Sequence, residues 1–235
     1  MKNRFLIPLL LVGSISLTSC AITFKTSKEK FLKSFESVET NLSSMENTPS
    51  NVHINNNFNV NVYEYKEGEF FSYRLTAIIL FIPIIQGKFT WKEDGKYYHA
   101  ETHTDSSKNT FSEISEIEFN TYMEAHRQTI YDELRSTVDS VNALLDAEEN
   151  GSPQYSSVSN SYRKLLFGGV EFKSKVTTGD SEEPHQYQFT YDFKNGLPKT
   201  YIKKDLDDKS SNKYVYKYGS ARFTKPSVAE DSEEE

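Results

Sequence analysis

Apolar residues recur at two periods along this chain, and the switches between them lay out its elements. Phe31, Phe35, Val38, Leu42 and Met45 fall four and three apart, one stripe of a helix. Ser27 stands where an N-cap belongs, and Pro49 among Asn and Ser residues is expected to end that helix. From Phe58 the period drops to two. Phe58, Val60 and Val62 alternate with polar residues, and Phe71, Tyr73, Leu75, Ala77 and Ile79 share one face of the next strand. Asp94-Gly95 signals a two-residue hairpin that sets Glu93 against Lys96, Trp91 against Tyr98 and Phe89 against Ala100.

Residues 105–111 read as a polar loop, and residues 113–149 as one long helix with the stripe Met123, Ile130, Leu134, Val138, Val141 and Leu145. Ser115 and Glu118 fit a capping box, and Asn150-Gly151 with Pro153 ends the run. A Ser-rich linker is expected over 152–161, followed by four strands. Val170, Phe172, Ser174 and Val176 form the inner face of the first. Tyr187, Phe189, Tyr191 and Phe193 form that of the second. Asn195-Gly196 turns the chain and places Asp192 opposite Lys199; Tyr214, Tyr216 and Tyr218 mark the last strand. Residues 224–235 read as a disordered acidic tail. Long amphipathic helices need an apolar sheet face to cover. The expected class is therefore α+β: a curved, mainly antiparallel sheet of about eight strands, with an N-terminal helix and a long central helix on one face. Residues 27–223 form the single domain, and helix-then-strands over 27–104 and 112–219 suggests a duplication.

Composition narrows the function. With 27 Lys+Arg against 34 Asp+Glu the net charge is −7, which argues against nucleic-acid partners. One cysteine excludes an internal disulfide and a cysteine-based zinc site. No nucleophile elbow, phosphate-cradling glycine loop or His-Glu-x-x-His helix occurs, so a non-enzymatic role without a cofactor is expected.

The first 20 residues give an address. Lys2 and Arg4 precede an apolar run from Phe5 to Val12, too short to span a bilayer and laid out like a secretory signal. Its end, Leu17-Thr18-Ser19-Cys20, resembles the lipobox of bacterial lipoproteins. The resemblance implies cleavage between Ser19 and Cys20, a diacylglycerol on the Cys20 sulfur, and a location at the extracytoplasmic face of the cell membrane. Residues 1–19 would be the signal peptide and 20–26 the lipidated cysteine and its tether. Loss of Lys2 and Arg4 leaves 25 basic against 34 acidic residues, a body repelled by anionic lipid, so the acyl chains must provide the anchor. On such a chain the layout of elements resembles the half-barrel lipoprotein and lipid carriers of the LolA and LppX type. That resemblance implies a hydrophobic cavity between sheet and helices and a lipid-like ligand.

Four groups of residues are candidate sites. Leu75 to Ile85 is apolar on both faces of any strand. Ile78, Ile79, Leu80, Phe81, Ile82, Ile84 and Ile85 would line a lipid cavity or dip into the bilayer, or else be buried on both faces or against another subunit. The aromatic face Tyr187, Phe189, Tyr191 and Phe193 would stack a ligand or form core. His99, Glu101 and His103 share a strand face with zinc-ligand chemistry, although the Tyr98 and Ala100 face is the one expected to meet the core. Loops 179–185, with Asp180, Glu182 and Glu183, and 205–212, with Asp205, Asp207 and Asp208, lie at one end and could hold calcium. Ser210 stands where an EF-hand loop has glycine. His126, bordering the long helix's stripe, reads as an interface residue. The expected function is a membrane-anchored surface binding or carrier module for an apolar ligand. The alternative is an interaction lipoprotein that uses residues 75–85 against a protein partner.

Overall fold

The computed structural model describes residues 23–56, 61–79, 82–166, 168–179 and 183–227, with 78, 79 and 82 described by backbone alone. Strand β1 (Thr23–Lys25) precedes helix α1 (Lys28–Asn41), whose cap Ser27 accepts from the Lys30 N–H at 3.3 Å. Six strands follow: β2 (Asn51–Asn56), β3 (Asn61–Lys66), β4 (Phe70–Ile79), β5 (Ile82–Glu93), β6 (Lys96–His103) and β7 (Thr110–Ile114). Helix α2 (Glu116–Asn150) leads to β8 (Tyr155–Leu165), β9 (Val170–Thr178), β10 (Gln186–Lys194), β11 (Leu197–Asp205) and β12 (Ser211–Tyr218). All 12 strands join one curved, unclosed antiparallel sheet in the order β1-β8-β9-β10-β11-β12-β2-β3-β4-β5-β6-β7. Each half is thus a helix followed by a meander, the two meanders meeting where β12 pairs with β2.

The capping box forms as read. Glu118 N–H donates to Ser115 Oγ at 3.3 Å, and Ser115 N–H donates to Glu118 Oε2 at 2.8 Å. At 35 residues α2 is about 50 Å long, close to the width of 12 strands spaced about 4.8 Å apart. One helix can therefore cross much of the sheet. Its stripe Met123, Ile130, Leu134, Val138, Val141 and Leu145 is buried, and Phe31, Phe35 and Val38 of α1 join the same core on the same face.

Twelve strands replace the expected eight, and each miss has a local cause. The tether 20–26 contains β1, held to β8 by backbone pairing at Phe24 and Lys164. The Asn/Ser-rich stretch after Pro49 is β2, whose Val52 and Ile54 are fully buried. The linker 152–161 is mostly β8: Ser157, Ser159 and Ser161 face away from the helices, while Val158 and Tyr162 pack on the core. Residues 110–114, read from the sequence as the end of the polar loop and the start of the helical pattern, form β7, and the long helix starts where its capping box marks it, after Ser115. α1 ends at Asn41, leaving Met45 in a short 3-10 turn. Phe58 and Val60 lie outside the described residues.

The sheet's other face carries a second core that the single-sided reading did not anticipate. Phe70, Phe89, Trp91 and Ala100 point away from the helices and are covered by the segment after β12. Phe223 lies 5.5 Å from Phe70 and 5.3 Å from Trp91 between ring centroids. The Ala221 N–H donates to Asn51 Oδ1 and the Arg222 N–H to Glu64 Oε2, at 2.9 and 3.0 Å. Residues 224–227, expected to be part of a disordered tail, are instead held against the sheet: Lys225 pairs with Glu93 at 3.5 Å and Pro226 is buried. Residues 228–235 lie outside the described residues.

The Asp94-Gly95 hairpin has the expected register, with both residues at positive φ. The Asn195-Gly196 turn also forms, but a bulge after Asp192 shifts the strand by one. Phe193 pairs with Pro198, then Asp192 with Thr200 and Tyr191 with Tyr201. Pro198 has no N–H to give the ladder, and the irregularity falls beside it. Asp192 is therefore not opposite Lys199.

Candidate functional site

That one-residue shift builds an aromatic cleft beneath α2. Phe172, Tyr191, Tyr201 and Tyr214 come side by side on β9 to β12, facing α2. The Tyr191 and Tyr201 rings stack at 4.8 Å and 13°, and Tyr201 and Tyr214 at 5.4 Å and 25°. Above them α2 presents Glu133, Ser136, Thr137 and Ser140. Two adjoining spaces of about 100 and 290 Å³ lie between helix and rings and share Ser140, Tyr191 and Tyr201. The larger also meets Tyr155, Phe189 and Leu144.

The electrostatics of this cleft are set by burial. Tyr201 is pushed up to about 12, first by burial and then by its neighbour Tyr214, and burial drives Tyr191 upward too. These phenols stay neutral donors at any physiological pH. Burial also raises Glu133, helped by Asp132, against the opposing effect of the Tyr63 hydroxyl, which donates to its Oε1 at 3.3 Å. Tyr216 and Thr137 share a hydrogen bond at 3.0 Å, the Ser136 and Ser140 hydroxyls donate to helix carbonyls, and Ser140 also meets the Tyr191 hydroxyl. Ring faces, hydroxyls and one carboxyl together suit a ligand with a flat apolar face and a polar rim.

Of the aromatic face read from the sequence, Phe189 and Tyr191 line this cleft. Phe193 packs edge-on against Phe35 at 5.1 Å, and Tyr187 lies half-buried under the Lys203 ammonium at 4.5 Å. Tyr201, Tyr155, Glu133 and Ser140 went unread: the turn alone set Thr200, not Tyr201, beside Tyr191.

The histidine row faces opposite to expectation, toward α2, because Ala100 and Trp91 serve the second core. His126 is 9% exposed and stacks on Phe71 at 3.7 Å; His99 stacks on Tyr122 at 4.3 Å. Thr90 Oγ1 lies 3.1 Å from both His99 Nδ1 and His126 Nε2, so its hydroxyl bridges the two rings. Burial, reinforced by His99 and Lys88, lowers His126 to about 3. Glu101 lies 3.8 Å from both His99 and His103. Among the described residues no three His, Cys, Asp or Glu side chains gather to hold a metal. Of the acidic loops, Asp180 and Glu182 lie outside the described residues. Asp205 accepts from the Asp207 and Asp208 N–H groups, and Asp208 from Ser210 N–H, so these carboxylates shape their own turn.

Leu80 and Phe81 lie outside the described residues, as do Ser19 and Cys20. Ile84 and Ile85 do not line the cleft. They belong to a two-stranded finger in which Thr76–Ile79 pairs with Ile82–Ile85 and, among the described residues, with no third strand. Ile85 is 48% exposed. Among the described residues no helix is long and apolar enough to cross a membrane. No protein-family model matches the chain, and no curated protein matches it by sequence.

Proposed function

We propose that this chain is a lipid-anchored protein of the bacterial envelope, held through Cys20 at the extracytoplasmic face of the membrane, and that it works there as a binding module. Its ligand enters between α2 and β9–β12, in the manner of the half-barrel carriers of the LolA and LppX type. The observation that carries this is the pair of spaces sharing Ser140, Tyr191 and Tyr201, bounded by stacked rings on one side and hydroxyls on the other. The ligand is amphiphilic, with a ring-like or acyl face against the tyrosines and polar groups toward Glu133. Native mass spectrometry of the full chain, extracted from its membrane in mild detergent, tests the reading. A bound small molecule should be present in the parent and absent from Ser140→Trp, which fills the cleft. Ligand-free parent protein, or retention by the filled variant, overturns it. Incorporation of labelled palmitate into the parent, and its loss in Cys20→Ser, tests the anchor separately.

A second reading rests on the finger. Its eight paired residues carry no charge, extend beyond the neighbouring strands among the described residues, and include the half-exposed Ile85, a surface that favours a covering partner. In this reading the finger packs against a protein partner at the envelope. Size-exclusion of the parent against Ile84→Lys/Ile85→Lys should then show an assembly that the variant loses; identical elution volumes dispose of self-association through this finger.

A further inference from the structure

The edge of the sheet nearest the N-terminus carries a charge opposite to that of the whole chain. α1 sets Lys28, Lys30 and Lys33 in its first half and Glu36 and Glu39 in its second. Glu29 apart, this is the reverse of what the helix dipole favours. Facing Lys30 and Lys33 are Lys164, at the end of β8, and Lys194, at the end of β10. The four surround a cleft of about 520 Å³ whose lining includes no carboxylate. Lys28 and Arg163 have acidic partners, Glu149 and Glu171, but none of the four makes an ion pair among the described residues. Phe24, the cross-strand neighbour of Lys164, is 55% exposed beside them. On the opposite face the same edge opens onto a cleft of about 640 Å³ lined by six cationic side chains against Glu171 and Asp192. The chain's acidity is concentrated on α2, which carries nine carboxylates against Arg127 and Arg135; of these Glu148 and Glu149 reach this edge, where Glu149 pairs with Lys28 and Glu148 accepts from Asn160 and Tyr162 of β8.

We propose that this edge docks on an anionic bilayer, lipid phosphates entering the lysine cleft between α1, β8 and the turn after β10, with Phe24 at the interface. The inference rests on the reading of Cys20 as the anchor. Thr23 opens β1 three residues later, so at about 3.5 Å per residue the edge lies within roughly 10 Å of the headgroups. That is close to the screening length of physiological salt, so the lysines feel the leaflet, while the carboxylates along the rest of α2 are more strongly screened and Glu149 at its near end is paired with Lys28. Net repulsion of the body and local attraction of its edge then coexist, and the tether selects the second. The anchor holds the molecule at the membrane; the edge decides which way it stands.

The test uses the full acylated chain in vesicles of phosphatidylcholine, with and without about a third phosphatidylglycerol. Lysine acetylation is followed by mass spectrometry. On the anionic vesicles Lys30, Lys33, Lys164 and Lys194 should react several-fold more slowly than on the neutral ones. The difference should vanish in 0.5 M salt, and Lys96 and Lys108, on the opposite side of the sheet order, should react alike on both. In Lys30→Glu/Lys164→Glu the protection of Lys33 and Lys194 should fall at least about fivefold, since each basic residue near an anionic surface is worth about that factor. Equal reactivity of the four on both vesicle types overturns the proposal, as does protection that survives high salt. The mass of the peptide carrying Cys20 reads acylation independently. If Cys20 proves bare, the anchor reading fails, and sedimentation of the chain with anionic but not neutral vesicles still decides the edge: co-sedimentation supports it and none overturns it.

Discussion

His126 is the buried group whose protonation the fold most strongly resists, and this makes stability depend on pH in a way that can be worked out. Its ring lies flat on Phe71 and uses Nε2 to meet Thr90, with burial as the main cause of its lowering to about 3. In the unfolded chain it titrates near 6.5. Between those values the unfolded state binds a proton that the folded state does not, so stability is full above about pH 7.5 and falls as pH drops. The slope is about 1.4 kcal/mol per pH unit, which removes about 2 kcal/mol by pH 5 and about 5 kcal/mol by pH 3. His126→Phe keeps the stack and the volume and gives up one hydrogen bond, about 1 kcal/mol at pH 7.5. The variant should be the weaker protein at pH 7.5 and the stronger at pH 5, with the two curves crossing near pH 6. Urea unfolding followed by the fluorescence of Trp91, the one tryptophan and 2% exposed, reads both. Titrating groups distant from this ring shift parent and variant alike; His99, which shares Thr90 with it, is coupled to it, so the difference between the curves reads the Thr90-bridged histidine pair. A difference that is the same at pH 7.5 and pH 5 would refute the argument.

Asp192 has the opposite sign. Burial, with Glu171 directly across the strand pair, raises it to about 6, so its ionised form weakens the fold above that pH. Asp192→Asn should stabilise by up to about 3 kcal/mol at pH 8, with the gain fading toward pH 4; thermal melts across that range would show it, and a gain independent of pH would count against it. Gly169 has φ +99°, and a Cβ there would sit 2.2 Å from the Phe193 carbonyl oxygen, backbone that cannot swing aside. Gly169→Ala should cost about 2–4 kcal/mol in a urea titration and loosen the turn that positions Lys164; a loss below about 1 kcal/mol would mean that the β8–β9 turn relaxes freely.

Elements with clean periodicity and capping chemistry were legible. The stripe from Met123 to Leu145, the Ser115 and Glu118 box and the Asp94-Gly95 hairpin needed only their own residues. What was missed was decided by partners distant in sequence. Ser157, Ser159 and Ser161 look like linker until β9 is set beside them, when they become the polar face of a strand. Thr23–Lys25 has too few residues to carry a pattern, and only its pairing with β8 makes it a strand. The local pattern turns apolar Tyr98 and Ala100 toward the helices and His99 away from them; nothing local announces that Phe223 returns to cover the apolar side. The cleft was half visible. Phe189 and Tyr191 stood out by alternation, but Tyr201 joins them only through a bulge that no two-residue turn rule contains.

That bulge and the return of Phe223 explain together why the two halves of one sheet differ. Strands β4 to β6 set Phe71, Thr90 and His99 toward α2 and Phe70, Phe89, Trp91 and Ala100 on the other face, so that second, apolar face must be closed, and the segment from Ala221 to Pro226 closes it. Strands β9 and β10 alternate, apolar and aromatic residues under the helices and polar or charged ones such as Lys173, Gln188 and Thr190 outside, so their outer face needs no second layer. The shift at Pro198 then does two things in that bare half. It stacks Tyr201 on Tyr191 beneath α2, and it moves Asp192 out of register with Lys199, leaving a buried carboxylate oxygen without a hydrogen-bond partner among the described residues. Restoring the register would be expected to separate the stacked rings and return Asp192 to its lysine. The strained carboxylate and the tyrosine cleft are thus two consequences of one backbone choice, which favours the cleft as the feature retained for use, since the carboxylate alone only weakens the fold.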